Sequence, residues 1–334
     1  MTEANAKDSP ELIAPFLSVI MASYNHAAYI GGAIESLQAQ TDGDWELVVV
    51  DDGSKDDSVA IARSYEEKDP RVKVYAQENK GVTEARNRAV SLCTGVYLSQ
   101  LDSDDFYPPD RVARIREASI LHPDSVLFYG DAWLTDDSGS PRNRFFELYP
   151  PSESPSFSAA LWSTHCFTHA QSVTVRRATL LETGPFWGPP HNIDYLKWIE
   201  VGLRGKVVQI PGAPLSYHRI HGKNASTPNA EKRIRQYRET AEGLRELLKR
   251  HPEFGGSIPV GSQNRRLAQC AFMGGFHALR FGMRAEAAVE FGKAFREYPT
   301  VVHLLAMVGA LPVAAWFSQP LARWVAQKKL GIYQ

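Results

Sequence analysis

The sequence of 334 residues is poor in cysteine and almost balanced in charge. Its three cysteines, Cys93, Cys166 and Cys270, lie far apart and form neither a metal-binding spacing nor an even set for disulfides. Such sparse thiols are typical of a reducing compartment. The formal net charge of −1 excludes the electrostatic footprint of a bulk nucleic-acid binder. Residues 1–14 lack the apolar core of a signal peptide, so we expect a disordered leader and a cytoplasmic protein.

Two nucleotide-binding fingerprints are also missing. No G-x-G-x-x-G follows the first apolar run, which disfavours a dinucleotide-binding Rossmann domain. No G-x-x-x-x-G-K-[ST] occurs, so the chain has no P-loop. With 43% hydrophobic and 22% charged residues, the composition is instead that of a globular protein with a hydrophobic core.

Apolar, β-branched runs alternate with helical spacing in the first hundred residues. The predicted strands lie at 16–25, 45–50, 72–76 and 95–101, and the predicted helices at 27–40, 59–67 and 83–91. Strand–helix–strand order with short links predicts parallel strands in an α/β sheet. Ligands of such sheets bind beyond the carboxyl ends of the strands.

Polar clusters follow three of these predicted strands. They are Ser23-Tyr24-Asn25, Asp51-Asp52-Gly53 and Asp102-Ser103-Asp104. Because parallel strands end at one edge of a sheet, we expect the three clusters to converge on one crevice. This convergence indicates a binding site more strongly than any single cluster does.

The pair Asp102 and Asp104 has two interpretations. Mg2+ and Mn2+ take one or two carboxylates plus substrate phosphates as ligands, and a cation held in this way neutralises a diphosphate leaving group. The alternative is a solvated acidic turn before Pro108-Pro109, which explains the spacing alone about equally well.

Four other polar side chains have a structural and a functional interpretation. Asp52 forms a glycine turn, or it accepts hydrogen bonds from a nucleobase or ribose. Arg86 lies exposed on a helix, or it meets phosphate or base. Asp194 caps a helix predicted over 191–202, or it acts as a general base. His221 is a solvated loop residue, or it reaches a metal or diphosphate.

The second half of the chain is predicted to be mostly helical. Residues 136–158, rich in Ser, Pro and Asp, predict a long loop, whereas residues 265–299 predict one tetratricopeptide-like helix hairpin turning near Gly282. The tail at 301–334 begins with 22 residues free of Asp, Glu, Lys and Arg, interrupted by prolines. It predicts either peripheral contact with an anionic membrane, or packing on the α/β domain or at a dimer interface.

Five segments in order resemble family 2 of the inverting glycosyltransferases, which have a GT-A fold. They are SVIMASYN, VVVDDGSKDD, NKGVTEARNRA, QLDSDDFYPPDR and NIDYLKWIEVGLRGKVVQIPGAPLSYHRIHGKNAS. The resemblance covers about residues 16–226. It implies a GT-A domain over 15–228, a Rossmann-like, mixed but mainly parallel sheet flanked by helices, followed by a helical region over 229–334.

The resemblance also implies roles for individual residues. Asp194 would be the catalytic base. Nucleotide-binding residues would be Ala22, Tyr24, Asp51, Asp52, Arg86, Asp102 and Ser103. Ligands of Mn2+ or Mg2+ would be Asp104, Asp102 and His221. Two departures are Ile193-Asp194, where the family often has Glu-Asp, and Ala22, which replaces a frequent proline or threonine.

The implied function is transfer of a sugar, with inversion, from a nucleoside-diphosphate donor, a UDP-sugar, to a hydroxyl of a glycan or lipid-linked acceptor. Bacterial cell-surface polysaccharide synthesis is the implied setting. The alternative is a non-catalytic scaffold or sugar-nucleotide-binding protein on a transferase fold. A nucleotidyltransferase also uses paired carboxylates, but SYNHAAYIGG is a poor basic phosphate loop.

Overall fold

A seven-stranded, mainly parallel sheet forms the centre of the protein. The computed structural model describes residues 14–152, 156–163, 166–222, 224 and 229–310. The strands are β1 (Leu17–Ser23), β2 (Trp45–Asp51), β3 (Val72–Ala76), β4 (Tyr97–Gln100), β5 (Ser125–Tyr129), β6 (Ala132–Thr135), β7 (Pro141–Arg144), β8 (Val173–Arg176), β9 (Lys206–Gln209) and β10 (Ser216–Arg219).

Helices surround the sheet and continue beyond it. They are α1 (Ile30–Gln38), α2 (Ser58–Glu66), α3 (Val82–Leu92), α4 (Arg111–Leu121), α5 (Phe145–Leu148), α6 (Phe157–Ser163), α7 (Arg177–Glu182), α8 (Ile193–Gly202), α9 (Ala230–Arg250), α10 (Pro252–Ser257), α11 (Val260–Arg280), α12 (Arg284–Glu297) and α13 (Val301–Ala310). A single 3-10 turn, Ala170–Ser172, precedes β8.

The strand order of the main sheet is β3-β2-β1-β4-β8-β5-β9. Strand β1 pairs in parallel with β2 and with β4, as the links through helices require. Strand β8 runs antiparallel to both of its neighbours, β4 and β5. A second sheet has the order β10-β6-β7. The predicted mixed, mainly parallel sheet is therefore confirmed.

Side chains of the central strands alternate between two hydrophobic cores. Val19 and Met21 of β1 pack with α1 and α4 on one face, whereas Ile20 packs with α3 and α8 on the other. All three are buried, which explains why β1 is a continuous apolar run rather than an alternating one. Helices on both faces leave the edge where the parallel strands end as the accessible side of the sheet.

The segment 136–158 is not the long loop that its composition predicts. It contains β7 and α5, and α6 begins within it. Strand β7 pairs antiparallel with β6, and Arg144 contacts the buried carboxylate of Asp131 through Nε at 2.7 Å. Tertiary pairing thus orders a polar segment whose composition alone favours turns.

Helices α9 to α13 form the end of the described chain. The predicted hairpin over 265–299 corresponds to α11 and α12, which are joined around Gly282, whose positive φ of 78° suits glycine. Ala306 and Met307 of α13 pack against the core that these helices share. In the described residues, no helix is both long and apolar enough to cross a membrane. Residues 311–334 of the predicted tail lie outside the described residues.

Candidate active site

A cleft of about 640 Å³ opens at the carboxyl ends of β1, β2 and β4. The pairing of Ser23 with Asp51 and of Ile20 with Gln100 brings these strand ends to one edge. Of the predicted site residues, the cleft is lined by Ala22, Tyr24, Asp52, Arg86, Asp102, Asp104 and Asp194. Side chains from distant parts of the sequence therefore meet here, as the strand-end pattern predicts.

The buried guanidinium of Arg86 connects two carboxylates of the cleft. Its Nη1 donates to both oxygens of Asp194 at 3.0 Å, and its Nη2 donates to Asp102 Oδ1 at 3.1 Å. Helix α3 supplies the arginine, the end of β4 one carboxylate and the first turn of α8 the other. A planar guanidinium is suited to such a double contact, which holds the two carboxylates in a fixed relation.

The environment of Asp194 acts on its pKa in two directions. Burial raises the pKa of this carboxyl, and the nearby charge of Asp102 adds to that effect, whereas Arg86 lowers it. The net result is a raised pKa. A carboxylate whose pKa lies above that of an exposed aspartate is a stronger base, which is a property that general-base catalysis uses.

Asp104, His221 and Asn224 form a second polar group behind Asp102. Asp104 Oδ2 lies 3.1 Å from His221 Nε2 and 3.2 Å from Asn224 Nδ2. All three residues are buried. Two neighbouring ligands of an octahedral ion at 2.0–2.1 Å are about 3 Å apart, so the oxygen and nitrogen are spaced as adjacent ligands of one cation would be.

The carboxylates of Asp102, Asp104 and Asp105 form a cluster in which one oxygen of each lies within 4.8 Å of the others. Carboxylate oxygens are the ligands that Mn2+ and Mg2+ prefer, so the residues present fit a divalent cation. Two of these carboxylates also accept hydrogen bonds from the protein. Gln171 Nε2 donates to Asp102 Oδ2, and Arg219 N donates to Asp105 Oδ1 at 2.8 Å.

Asp105 differs from the other two because it is turned away from the cleft and does not line it. Both of its oxygens lie 3.1 Å from His218 Nδ1. Burial lowers the pKa of His218, but the charge and hydrogen bond of Asp105, together with the charges of Asp104 and Asp102, outweigh burial and raise that pKa to about 9. Asp105 therefore links the turn after β4 to His218 and Arg219 of β10, and this link holds the acidic cluster in place.

Asp52 lines the cleft, but its carboxylate also orders the loop before α3. It accepts hydrogen bonds from Gln77 Nε2, from the amide of Lys80 and from the amide of Gly81, each at 2.8 Å. Gly81 has a φ of 88°, a conformation that other residues rarely adopt. Asp51, by contrast, does not line the cleft, because its carboxylate accepts from the amide and hydroxyl of Ser54 at 2.8 and 2.6 Å.

Of the other predicted residues, Ser103 and His221 do not line the cleft, whereas Tyr24 does. Tyr24 is 45% exposed at its mouth. Ser103 is buried, and its hydroxyl lies 2.7 Å from His26 Nδ1. His221 stacks on Tyr29 with ring centroids 4.5 Å apart.

Among the residues that line the cleft but were not proposed by the sequence analysis are His26, Gln171 and His218. Gln171 reaches Asp102 from the turn before β8, 69 positions along the chain. A contact of this kind leaves no local sequence signal. His26, two residues after Tyr24, is the one that position alone could have indicated.

The fold is that of the GT-A glycosyltransferases. The crystal structure of S. aureus TarS 1-349 aligns over 93% of this chain and 91% of its own, with a TM-score of 0.62 and 17% identity. The mannosyltransferase PcManGT from Pyrobaculum calidifontis, solved in complex with GDP-Man and Mn2+, aligns over 97% and 89%, with a TM-score of 0.56 and 17% identity. At such identities the likeness shows the fold.

The family follows from the sequence itself. Residues 18–179, just under half of the chain, match the model of glycosyl transferase family 2, and this part of the chain belongs to that family. The match confirms the resemblance over four of the five segments, whereas the fifth, residues 192–226, lies beyond the matched residues.

Two curated relatives illustrate the match. A putative teichuronic acid biosynthesis glycosyltransferase of Bacillus subtilis, TuaG, is 35% identical over 151 residues, or 45% of this chain and 58% of the relative. The Escherichia coli chondroitin synthase is 45% identical over 98 residues, or 29% and 14%. The matched region thus spans less than two thirds of either relative.

Proposed function

We propose that this protein transfers a sugar from a nucleoside-diphosphate donor, a UDP-sugar, to a hydroxyl of a glycan or lipid-linked acceptor, with inversion at the anomeric carbon. The observation that carries the proposal is the half-buried carboxylate of Asp194, which Arg86 holds at the cleft, together with Asp104, which lines the same cleft and contacts the imidazole of His221. Family membership and the GT-A fold support the same chemistry. The retention of Asp102, Asp104 and Asp194 in the cleft disfavours a scaffold that only retains the fold.

The donor and the setting are taken from the relatives. TarS has been solved with UDP-GlcNAc and with UDP, whereas PcManGT has been solved with GDP-Man and Mn2+. The curated relatives include enzymes named for teichuronic acid, chondroitin and hyaluronan synthesis. We therefore place the reaction in polysaccharide assembly, with uridine as the first base to test and guanosine as its rival.

In this proposal the donor diphosphate lies against Asp102, Asp104 and His221. These residues would hold Mn2+ or Mg2+, which neutralises the charge of the departing nucleoside diphosphate. Asn224 donates to Asp104 and keeps its carboxylate oriented. The nucleoside extends along the ends of β1 and β2, past Ala22, Tyr24 and Asp52, with Asp51 and Ser103 supporting that wall.

Asp194 would act as the base. Its carboxylate takes the proton of the acceptor hydroxyl while that oxygen attacks the anomeric carbon, and the bond to the diphosphate breaks on the opposite side. The proton remains on Asp194 until the product leaves. Arg86 also contacts Asp102, one of the proposed metal ligands. It would therefore fix the position of the base relative to the donor diphosphate.

Nucleotide binding tests the proposal most directly. Isothermal titration of the purified chain with UDP, GDP and dTDP, each with and without Mn2+, should show one nucleotide that binds only with the metal. Asp104→Ala should abolish the nucleotide binding that requires the metal, whereas Asp124→Asn, at an exposed position, should leave that binding unchanged. Absence of binding by all three nucleotides would contradict the proposal, and NMR of the product anomer would test inversion.

Contact of the tail 301–334 with an anionic membrane is a separate part of the proposal. It would suit a lipid-linked acceptor. Flotation with anionic liposomes, comparing the full chain with a chain lacking 301–334, tests it. Equal flotation of the two forms would contradict it.

A further inference from the structure

A second cavity, of about 210 Å³, lies between α8, α9 and α11. It adjoins the cleft, since Cys166 lines both. The start of α8 separates the two spaces: Asp194 borders the cleft and the next residue, Tyr195, borders the second cavity. Because Cys166 lines both spaces, a group held in this cavity would lie next to the cleft that Asp194 borders.

The walls of this cavity are polar where two packed helices would ordinarily be apolar. Helix α9 presents Arg233 and Gln236 to it, and α11 presents Arg266 and Gln269. These pairs are three residues apart, which places each on one face of its helix. Elsewhere along α9, Leu244 and Leu247 are fully buried in the main core.

Arg266 is a cation without an acidic partner among the described residues. Its Nη2 lies 3.4 Å from the hydroxyl of Tyr195, which itself donates to the carbonyl of Leu161 at 2.7 Å. Its Nε is buried and has no hydrogen-bond partner. A guanidinium stays charged at any physiological pH, so this positive charge is permanent.

Two other donors border the same space. Arg233 makes a 3.4 Å hydrogen bond to Gln236 and no ion pair with any described residue. Asn192 is buried, and its Nδ2 has no partner. Of the acids of α9 on either side of Arg233, Glu239 pairs with Arg235 at 3.8 Å, and neither Glu231 nor Glu239 lines the cavity. Buried donors without acceptors are costly, and a ligand rich in acceptors would satisfy them.

We propose that this cavity binds an anionic group of the acceptor, a carboxylate or a phosphate, with Arg266 and Arg233 as its charge partners. The inference rests on the proposed function, because it is the neighbouring Asp194 that makes the cavity an acceptor site. It narrows the acceptor to one that carries a negative charge close to the reacting hydroxyl. An arginine fork suits both oxyanions, so the experiment compares the two.

Binding of small probes tests the site without requiring transfer. The full chain is titrated with glucuronate, glucose 6-phosphate and neutral glucose at fixed ionic strength, with binding followed by saturation-transfer NMR. We expect one or both anionic sugars to bind at least about tenfold more tightly than glucose, as a charged hydrogen bond to arginine implies. Glucuronate alone would indicate a sugar acid, and glucose 6-phosphate alone a phosphorylated acceptor.

Variants assign the binding to the cavity. Arg266→Gln should weaken it at least about tenfold, Arg266→Lys less, and the matched control Arg280→Gln, an exposed position on the same helix, not at all. Arg233→Gln gives a second variant on the other wall. The inference would be overturned if the anionic sugars bound the wild type no more tightly than glucose does. It would also be overturned if Arg266→Gln and Arg233→Gln both bound these sugars as tightly as the wild type.

Nucleotide binding separates this inference from the proposed function. UDP with Mn2+ should bind Arg266→Gln as it binds the wild type, and saturating UDP should leave the anionic sugar in place. Displacement by UDP would overturn the inference, since the sugar would then lie in the donor cleft. A wild type that binds no nucleotide, yet binds an anion through Arg266, would defeat the proposed function and leave the anion site standing.

Discussion

Arg86 Nη1 lies 3.0 Å from both carboxylate oxygens of Asp194, although the two residues are 108 positions apart in the chain. The same guanidinium contacts Asp102 at 3.1 Å. The proposed base is therefore joined through one cation to the acidic cluster on the donor side. Substitution of Asp194 should therefore alter the environment of Asp102, and substitution of Asp102 should alter that of Asp194.

Asp194→Asn tests the base directly. The amide has the shape of the carboxylate but accepts no proton, so we expect kcat to fall by about 10²–10⁴-fold. Binding of UDP with Mn2+, measured by calorimetry, should stay close to that of the wild type. Asp124→Asn is the control, because it neutralises an exposed aspartate far from the cleft. Transfer by Asp194→Asn within twofold of the wild-type rate would remove Asp194 from this role.

The pH profile of transfer should report the environment of Asp194. Burial raises its pKa, and a base must be ionised to work, so kcat/KM should fall with decreasing pH at a value above the ordinary aspartate pKa of about 3.9. Arg86→Lys keeps a positive charge but loses the fork that contacts both carboxylates. It should move this acid limb to higher pH. An acid limb at or below the ordinary value in the wild type would contradict the prediction.

Removal of the metal should mimic loss of Asp104. With EDTA, the wild type should lose nucleotide binding and transfer, and both should return on addition of Mn2+ in excess. Asp104→Ala should show the same loss without recovery at that metal concentration, because one ligand is missing. Asp105→Asn, measured beside it, should lower stability more than metal affinity, since Asp105 bonds to His218 and Arg219. Full recovery of Asp104→Ala by Mn2+ would argue against Asp104 as a principal ligand.

Gln40 holds the segment that follows the acidic cluster, through hydrogen bonds to Pro108 and Val112, and its substitution should lower the stability of the fold. Its Nε2 donates to Pro108 O at 2.7 Å and its Oε1 accepts from Val112 N at 3.0 Å, all within the core. Gln40→Met leaves both backbone groups unpaired, so we expect about 2 kcal/mol less stability in urea unfolding. Gln38→Met, at the exposed last residue of α1, removes one hydrogen bond to Asp69 and leaves no buried backbone group unpaired, so it should cost clearly less. Equal losses in the two variants would refute this role.

Much of the sheet could be predicted from the sequence. Strands β1 to β4 and helices α1 to α3 lie within a few residues of their predicted bounds, because buried parallel strands are continuous apolar runs. The convergence of strand ends follows from topology alone. These two inferences place Asp52, Asp102 and Asp104 in one cleft without any knowledge of contacts.

Contacts between distant segments could not be predicted. Nothing near Arg86 in the sequence indicates Asp194 as its partner, and nothing near Gln171 indicates Asp102. The order in 136–158 depends on pairing between β6 and β7 and on the contact of Arg144 with Asp131. Local composition describes what a segment prefers in isolation, whereas these positions are fixed by what packs against them.

The reversed direction of β8 has a consequence for how such a cleft can diversify. Because β8 runs against its neighbours, its beginning, not its end, lies at the edge where β4 finishes. The turn that enters it, with Gln171, thus reaches the cleft from a part of the chain outside the β1–β4 unit. Replacing that turn would exchange one wall while the strands that carry Asp52 and Asp102 kept their pairing. The contact of Gln171 with Asp102 could therefore be changed by substitutions in this turn without disturbing the strand pairing that brings Asp52 and Asp102 to the cleft.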